Sequence, residues 1–417
     1  MSSTASATEH DETDEDERGH DEIATHYEVW ALDQGTDTGY IYEPVEDGDH
    51  PSFELVEEID FRTLEGVTPN EKGAVTPHMI AFSSDHAYAA VACTAAGQTL
   101  VFRTDDRELV GSCPTGPGSH FAGFTPADEH IQVDVIGTGT IARIDANLED
   151  EEFSIVDEIV IDADPVFIEH EEDVPADDDD VRGRPICHDY TGTGFSYHTL
   201  GPSIDHAGVV IVDWEAFEIE TVVSQNQVRA NCGTLGHPTE NTFYLTAGAP
   251  SNHEPTGGVG EWYVFDVEKH RPIDPATGEI VEGEFTYEDV SRDSEGFDAH
   301  GFWFISEDEL WLVNRETDDG LIIDPATDEV VEEFETPQAP DIMGGSPDGE
   351  YLFTSLRGSE PVSGDPHAAT GETPGFSVHH VESRDLVEIV QPDEENPESD
   401  FHGIGVIAHD SEDAGPE

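Results

Sequence analysis

Short apolar blocks of the kind that form β-strands repeat along the whole 417-residue chain, and this repetition limits the fold more than any other feature. Each unit has an apolar first strand, a turn of the Ser/Thr-Pro-Asp type, and three further strands separated by Gly- or Asp-containing turns. No convincing pattern of an amphipathic helix occurs between the blocks. The repeat therefore predicts an all-β fold in which neighbouring units pack against each other.

Six complete units and one divided unit account for nearly all of the chain. The complete units begin at six residues that, together with His402, we call the leading residues: His78, His120, His188, Cys232, His300 and Asp341. The divided unit takes its first strand from residues 402–408 and its other three strands from residues 27–33, 39–42 and 53–61. Joining these pieces closes a ring and leaves no long unpaired strand edge. The sequence therefore predicts a seven-bladed β-propeller with split-blade closure.

The two ends of the chain differ from the repeats. Residues 1–24 and 410–417 are polar, acidic and without periodicity, so we expect disordered tails on either side of a propeller that spans residues 25–409. The N-terminal segment lacks the apolar stretch of a secretory signal, which predicts a cytoplasmic protein; an extracellular location would require a signal peptide missing from this sequence. The sequence also has no apolar run of about 18 residues, so no membrane span is expected.

The charge of the chain is strongly acidic. Ninety-six Asp and Glu stand against 15 Lys and Arg, which gives a formal net charge of −81. Such like charges repel each other in dilute buffer, but at about 1 M salt the Debye length falls to ~3 Å and the repulsion is screened. The composition resembles that of proteins from halophilic archaea. It argues against nucleic acid and anionic lipid as partners.

The units resemble the YVTN family of propeller repeats, as in the YncE-like proteins. Thr76-Pro77-His78 matches the Pro-His that begins the family's repeat, and Ser346-Pro-Asp-Gly349 matches its turn. Asp-Pro-Ala-Thr occurs at residues 274–277 and 324–327, as the resemblance would lead one to expect. The resemblance covers nearly the whole chain and implies the propeller fold. It implies no single activity, because propellers serve many functions.

Aligning the units on their leading residues places a candidate metal ligand in every one. Five of these seven residues are histidine, although the chain has only 21 histidines among 417 residues. Because the first strands of a propeller surround its axis, we expect the leading side chains to converge at one mouth of the channel. Imidazoles joined by a thiolate or a carboxylate suit transition metals. The sequence therefore predicts a metal site at this mouth, for zinc in preference to copper.

Two further resemblances bear on metal binding. His10, His20 and His26 alternate with carboxylates near the N-terminus, which resembles the mobile His/Asp segment of propeller-type zinc metallochaperones and implies a tail that captures metal. The nitrous oxide reductase propeller binds its copper cluster through histidines at the inner ends of its blades. This chain lacks that family's cupredoxin domain, so the likeness does not extend to the reductase activity.

The cysteines leave two pairings open. Cys187 and Cys232 begin neighbouring units, where they would form a disulfide or act as soft metal ligands. Cys93 and Cys113 lie within one unit, as core residues or as a local bridge.

Three functions remain compatible with the sequence. The first is metal carriage or storage, with a metal ion and a metal-transport or other protein as partners. The second is a metal-dependent hydrolase or oxidoreductase, in which Asp341 would act as the base toward a metal-bound water. The third is a protein-interaction scaffold whose histidines form hydrogen bonds within the blades. The sequence contains no nucleophile elbow, phosphate-binding loop or dinucleotide fingerprint.

Overall fold

Seven antiparallel sheets follow each other along the chain in a computed structural model, and the predicted seven-bladed β-propeller is confirmed. The structure describes residues 26–47, 50–170, 181–251, 257–362, 369–392 and 396–408. The two predicted tails therefore lie outside the described residues. The first strands of the seven sheets contact one another in a closed ring, which defines the axis of the propeller.

The first four blades have four strands each. Blade 1 joins the two ends of the chain and contains β29 (Phe401–Ala408), β1 (Tyr27–Asp33), β2 (Thr38–Asp47) and β3 (His50–Asp60). Blade 2 contains β4 (Pro77–Phe82), β5 (Tyr88–Cys93), β6 (Gln98–Arg103) and β7 (Leu109–Cys113). Blade 3 contains β8 (Ser119–Phe124), β9 (His130–Val135), β10 (Thr140–Asn147) and β11 (Glu152–Val160). Blade 4 contains β12 (Pro185–Tyr190), β13 (Phe195–Leu200), β14 (Gly208–Asp213) and β15 (Glu218–Ser224).

The remaining three blades complete the ring. Blade 5 contains β16 (Thr234–Gly236), β17 (Thr242–Ala247), β18 (Glu261–Asp266), β19 (Arg271–Pro272) and β20 (Arg292–Asp293). Blade 6 contains β21 (Ala299–Ser306), β22 (Glu309–Asn314), β23 (Asp319–Asp324) and β24 (Glu329–Glu335). Blade 7 contains β25 (Pro340–Gly345), β26 (Tyr351–Leu356), β27 (Gly375–His380) and β28 (Leu386–Val390). Two short helices, α1 (Pro165–Ile168) and α2 (Tyr287–Val290), lie between strands.

Apolar side chains between neighbouring blades form seven separate clusters, one at each blade interface. Successive side chains of a strand point to opposite faces of its sheet, so a single strand serves two interfaces. On β22, Leu312 packs with Trp262 of blade 5, whereas Val313 packs with Leu352 of blade 7. This alternation explains why the inner strands are apolar at nearly every position. Each fully buried side chain of this size contributes about 1.5–3 kcal/mol.

The first strands carry a β-bulge close to their leading residues. The pairing register shifts at this point in six blades, those that begin with β4, β8, β12, β21, β25 and β29. A bulge bends the strand and redirects a side chain. In five of these strands the leading residue is the second residue: His78, His120, His300, Asp341 and His402. The same local geometry therefore recurs at equivalent positions around the ring.

The structure also addresses the expected absence of a membrane span and the pairing of the cysteines. No helix in the described segments is long and apolar enough to cross a membrane. No disulfide joins any two of the four cysteines, Cys93, Cys113, Cys187 and Cys232, so neither of the two pairings left open by the sequence is formed.

The glycine that follows His402 lies where two first strands come very close. A Cβ atom on Gly403 would stand 2.6 Å from the carbonyl oxygen of His78 and 3.0 Å from the Cα of Met79. Both neighbours are backbone atoms of the adjacent blade, so neither can rotate away. The His-Gly pair at 402–403 thus combines a polar side chain with a residue that permits close packing of β29 against β4.

We expect the substitution Gly403→Ala to lower the free energy of unfolding by about 1–3 kcal/mol, because the added methyl group forces β29 and β4 apart. Denaturant unfolding of the metal-free protein in molar KCl measures this change. Gly192→Ala is the matched control, since a Cβ atom there would meet no atom within 4 Å. Equal effects of the two substitutions would contradict the close approach at Gly403.

Candidate metal centre

Five leading residues lie together where the first strands meet. The ring centroid of His78 is 4.1 Å from that of His120 and 3.8 Å from that of His402. A carboxylate oxygen of Asp341 is 2.9 Å from Nε2 of His300, and the other is 3.7 Å from Nε2 of His402. All five side chains are buried. We call this group of His78, His120, His300, Asp341 and His402 the central cluster.

The imidazoles of His78 and His120 face each other with their Nε2 atoms 2.9 Å apart. Nδ1 of His120 is 2.9 Å from the carbonyl oxygen of Ile186, which only accepts, so this Nδ1 carries the proton. Nδ1 of His78 is 2.7 Å from Oε1 of Gln34. The amide nitrogen of Gln34 donates to Asp400 at 2.9 Å, which fixes Oε1 toward His78. Both Nδ1 atoms are therefore protonated, and both Nε2 atoms present lone pairs to each other.

Two facing lone pairs at this distance repel each other unless a cation lies between them. Burial, His402 and His120 hold the pKa of His78 well below its ordinary value, which disfavours a proton as this cation. Two nitrogens about 2.0–2.1 Å from one tetrahedral metal ion lie about 3.3–3.4 Å apart, so the two rings would separate by about 0.4 Å to bind zinc. Hydrogen bonds from Nδ1 to an oxygen also orient histidine ligands in metal sites. The His78–His120 pair therefore fits a transition metal ion.

His402 supplies a further donor, which lies within 4.8 Å of the donor atoms of His300 and Asp341. Neither of its ring nitrogens has a hydrogen-bond partner, although the side chain is almost completely buried. Burial is the main reason that its pKa lies well below the ordinary histidine value. A buried neutral imidazole without hydrogen bonds is costly unless something else binds it.

Two buried arginines connect the carboxylates around the central cluster. Arg315 contacts both oxygens of Asp298 at 3.0 Å and lies 3.4 Å from Asp341. Arg357 contacts Asp400 at 2.7 and 2.8 Å and Asp341 at 2.9 Å. While the histidines are neutral, three carboxylates and two guanidiniums leave one net negative charge. The network therefore favours an additional cation. Removing one partner of such a buried pair costs about 3–5 kcal/mol.

The same network sets the protonation of Asp341. Burial by itself raises the pKa of this carboxyl group, but the nearby His402, His300 and two arginines outweigh burial and hold the pKa well below its ordinary value. Asp341 therefore stays ionised and is a weak base.

The protonation of His300 is shifted in the opposite direction. Burial and the guanidinium of Arg315 lower the pKa of His300, but Cys232 and Asp341 outweigh them and raise it to about 9. His300 therefore attracts a positive charge near neutral pH.

Five residues of this network were not found from the sequence. Gln34, Arg315 and Arg357 follow directly after the second strands of blades 1, 6 and 7, which are equivalent positions of the repeat. Asp400 stands two residues before His402, just as Asp298 stands two residues before His300. Aligning the residue after each second strand, and noting the repeated Asp-X-His, would have revealed these positions.

His188 has a different set of neighbours. It is the fourth residue of β12, and the second residue of that strand is Ile186, the acceptor for His120. Nδ1 of His188 is 2.6 Å from one oxygen of Asp134, and Nδ1 of His198 is 2.7 Å from the other. The donor atoms of these three residues lie within 4.8 Å of one another. The short contacts are hydrogen bonds that occupy the carboxylate, so this triad is already satisfied without a metal ion.

The other predicted ligands lie apart from the central cluster or beyond the described residues. Cys232 precedes β16 by two residues, and its sulfur groups with Asp298 and His300. The side chain of His26 is mostly exposed, with Nε2 3.8 Å from the carboxylate of Glu43. His10 and His20 lie outside the described residues.

The closed ring of seven sheets and its buried polar centre define a seven-bladed β-propeller with a histidine–carboxylate–arginine cluster at its axis. No protein-family model matches the chain, and a search of the curated proteins finds no match. Hydrazine synthase of Kuenenia stuttgartiensis is similar in structure, with 13% identity and a TM-score of 0.50 over 78% of this chain and 91% of that chain. The dihydro-heme d1 dehydrogenase NirN, in complex with DHE, has 12% identity and a TM-score of 0.52, covering 90% of this chain and 74% of that chain. At these identities the likeness shows the propeller fold alone.

The raised pKa of His300 predicts a loss of stability at alkaline pH. A group whose pKa rises from 6.5 to about 9 on folding contributes its full stabilisation below pH 6.5 and loses it as the pH rises through 9. We expect the free energy of unfolding of the metal-free protein to fall by up to about 3 kcal/mol over this range. Denaturant unfolding at several pH values, with a chelator present, measures the fall.

The His300→Gln variant should have a flatter profile, while His380→Gln, on the third strand of blade 7, should keep the wild-type slope. The NMR shift of the His300 ring should titrate near pH 9. An equally steep profile in His300→Gln would contradict the assignment.

Proposed function

We propose that this protein carries or stores a transition metal ion, zinc in preference to copper, at the axis of its propeller. The observation that supports this function most directly is the pair of facing Nε2 lone pairs on His78 and His120. A hydrogen-bonded structural role would give one of these nitrogens a donor. A bound metal ion satisfies both at once.

The residues around such a site have different roles. His78 and His120 supply neutral imidazole nitrogens, the ligands that Zn²⁺ and Cu prefer. His402 offers another such nitrogen, close to the donor atoms of His300 and Asp341. Gln34 and the carbonyl of Ile186 hold the first two rings in the required tautomer. Asp341 contributes charge rather than a free ligand atom, because its oxygens already contact His300 and both arginines.

Carriage fits the site better than metal-dependent hydrolysis. Hydrolysis needs a base that accepts a proton from a metal-bound water, and the pKa of Asp341 is too low for that role. The ligands are also deeply buried, which limits the approach of a substrate. A scaffold with purely structural histidines would explain His188, whose Nδ1 is hydrogen-bonded, but leaves His402 without a partner.

Zinc titration of the metal-free protein tests this proposal. We expect the wild type to bind one equivalent of Zn²⁺, and we expect His78→Gln and His120→Gln each to weaken binding by about tenfold or more. The titration is done in molar KCl with excess Mg²⁺, so that surface carboxylates do not contribute. Co²⁺ in place of Zn²⁺ gives a visible spectrum that reports nitrogen ligands.

His380→Gln is the control for the loss of a histidine outside the cluster. Gln34→Leu should weaken binding less than His78→Gln does, because it removes only the hydrogen bond to the ligand. Wild-type protein without a stoichiometric metal ion, or variants with wild-type affinity, would overturn the proposal.

We also infer that the chain belongs to an organism that works in molar salt, as its net charge of −81 suggests. The melting temperature should then rise steadily between about 0.5 and 3 M KCl, since the Debye length shortens over this range. Sucrose at equal osmolality is the control, because it is excluded from the surface but does not screen charge. A melting temperature that responds equally to both solutes would contradict this inference.

A further inference from the structure

A second group of donors includes His300, which also contacts Asp341. The sulfur of Cys232, a carboxylate oxygen of Asp298 and a ring nitrogen of His300 lie within 4.8 Å of one another, and all three residues are buried. Nε2 of His300 is bound to Asp341 at 2.9 Å. Nδ1 of His300 has no hydrogen-bond partner, although the residue is only 7% exposed. Nδ1 is therefore the ring atom left for a ligand.

Asp298 does not act as a free ligand in this group. Both of its oxygens contact Arg315 at 3.0 Å, so its charge balances the guanidinium. Two donors remain, the thiol of Cys232 and Nδ1 of His300. The sulfur has only weak contacts, 3.4 Å from the backbone nitrogen of Ala249 and 3.4 Å from the side-chain oxygen of Asn231.

Charge and coordination number decide which metal ion suits these two donors. Zn²⁺ takes four ligands in structural sites, and this group offers two. A doubly charged ion would also stand close to Arg315, whose Nη1 is 3.4 Å from the imidazole of His300. Cu(I) prefers soft thiolate ligands and accepts two of them. Cu(I) carries a single positive charge, one less than Zn²⁺ would bring beside the guanidinium.

We propose that Cys232 and His300 form a second metal position, selective for Cu(I), with Sγ and Nδ1 as its ligands. Binding forms one Cu–S and one Cu–N bond, and it breaks the S–H bond of Cys232 and the Nδ1–H bond that His300 has near neutral pH. Both protons are released to solvent, and no oxidation state changes. Asp341 holds the imidazole through Nε2, as a carboxylate does beside many metal-bound histidines. This position shares no ligand with the His78–His120 pair and does not depend on it.

Anaerobic titration with Cu(I) against the chromophoric competitor bicinchoninate tests the proposal. Molar potassium sulfate replaces chloride, because chloride itself binds Cu(I). We expect the wild type to withdraw one equivalent of Cu(I) that Cys232→Ser does not withdraw. His300→Gln should weaken this equivalent by about tenfold or more. Cys187→Ser is the matched control, since it removes another thiol near the axis and should leave the equivalent intact.

A second measurement keeps the test valid if Cys232→Ser fails to fold. X-ray absorption at the copper edge of Cu(I)-loaded Cys187→Ser protein should show one sulfur and one nitrogen neighbour. A spectrum with nitrogen and oxygen neighbours alone would overturn the proposal, as would equal Cu(I) uptake by the wild type and Cys232→Ser.

Binding at the two metal positions is distinguished by titrating the variants of each position with both metal ions. The double variant His78→Gln/His120→Gln should lose Zn²⁺ and keep the Cu(I) that depends on Cys232. Cys232→Ser should keep Zn²⁺ at wild-type affinity. Loss of the Cys232-dependent Cu(I) binding in the double variant would contradict the independence of the two positions. Absence of Zn²⁺ binding in the wild type would contradict only the proposed function at the His78–His120 pair.

Discussion

Close packing of seven first strands around one axis is the constraint on which the rest of this structure depends. Apolar clusters between blades hold the strands in a ring, so their equivalent positions face a common small volume. Where β29 meets β4, the backbone of His78 leaves no room for a side chain at Gly403. The packing that stabilises the fold therefore also concentrates polar groups at the axis, where burial makes every unpaired charge costly.

The charged groups at the axis are paired with one another, which offsets the desolvation cost of burying them. Arg315 and Arg357 share Asp341 between them, and Asp298 and Asp400 complete their contacts. The shared carboxylate explains two opposite pKa shifts. The pKa of Asp341 is lowered, so this residue stays ionised, whereas the pKa of His300 is raised, so this residue attracts a positive charge. At the edge of this network, the Nε2 atoms of His78 and His120 lie 2.9 Å apart. A buried centre with ordered ligands and a shared carboxylate is suited to hold a cation, be it a proton on His300 or a metal ion.

A shift of two residues along one strand separates a ligand position from a structural one. His120 is the second residue of β8, whereas His188 is the fourth residue of β12 and lies against Asp134. The register shift in β12 lies between Pro185 and His188, so the regular alternation of faces is interrupted between its second and fourth residues. The carbonyl of Ile186, at the second position of β12, contacts the central cluster and orients His120 there.

The sequence by itself determined the seven units, their closure into a propeller and the identity of the leading residues, because strand periodicity and turn residues are local signals. It also brought His78, His120, His300, Asp341 and His402 to one set of equivalent positions. Only the tertiary structure decided which ring nitrogens are protonated and where His188 and Cys232 lie. The tertiary structure alone also showed that Gln34, Arg315 and Arg357, which follow the second strands of their blades, belong to the site. Side-chain contacts across blades depend on β-bulges and on differences of a few tenths of an ångström in distance. The residue pattern of one sequence specifies neither of these.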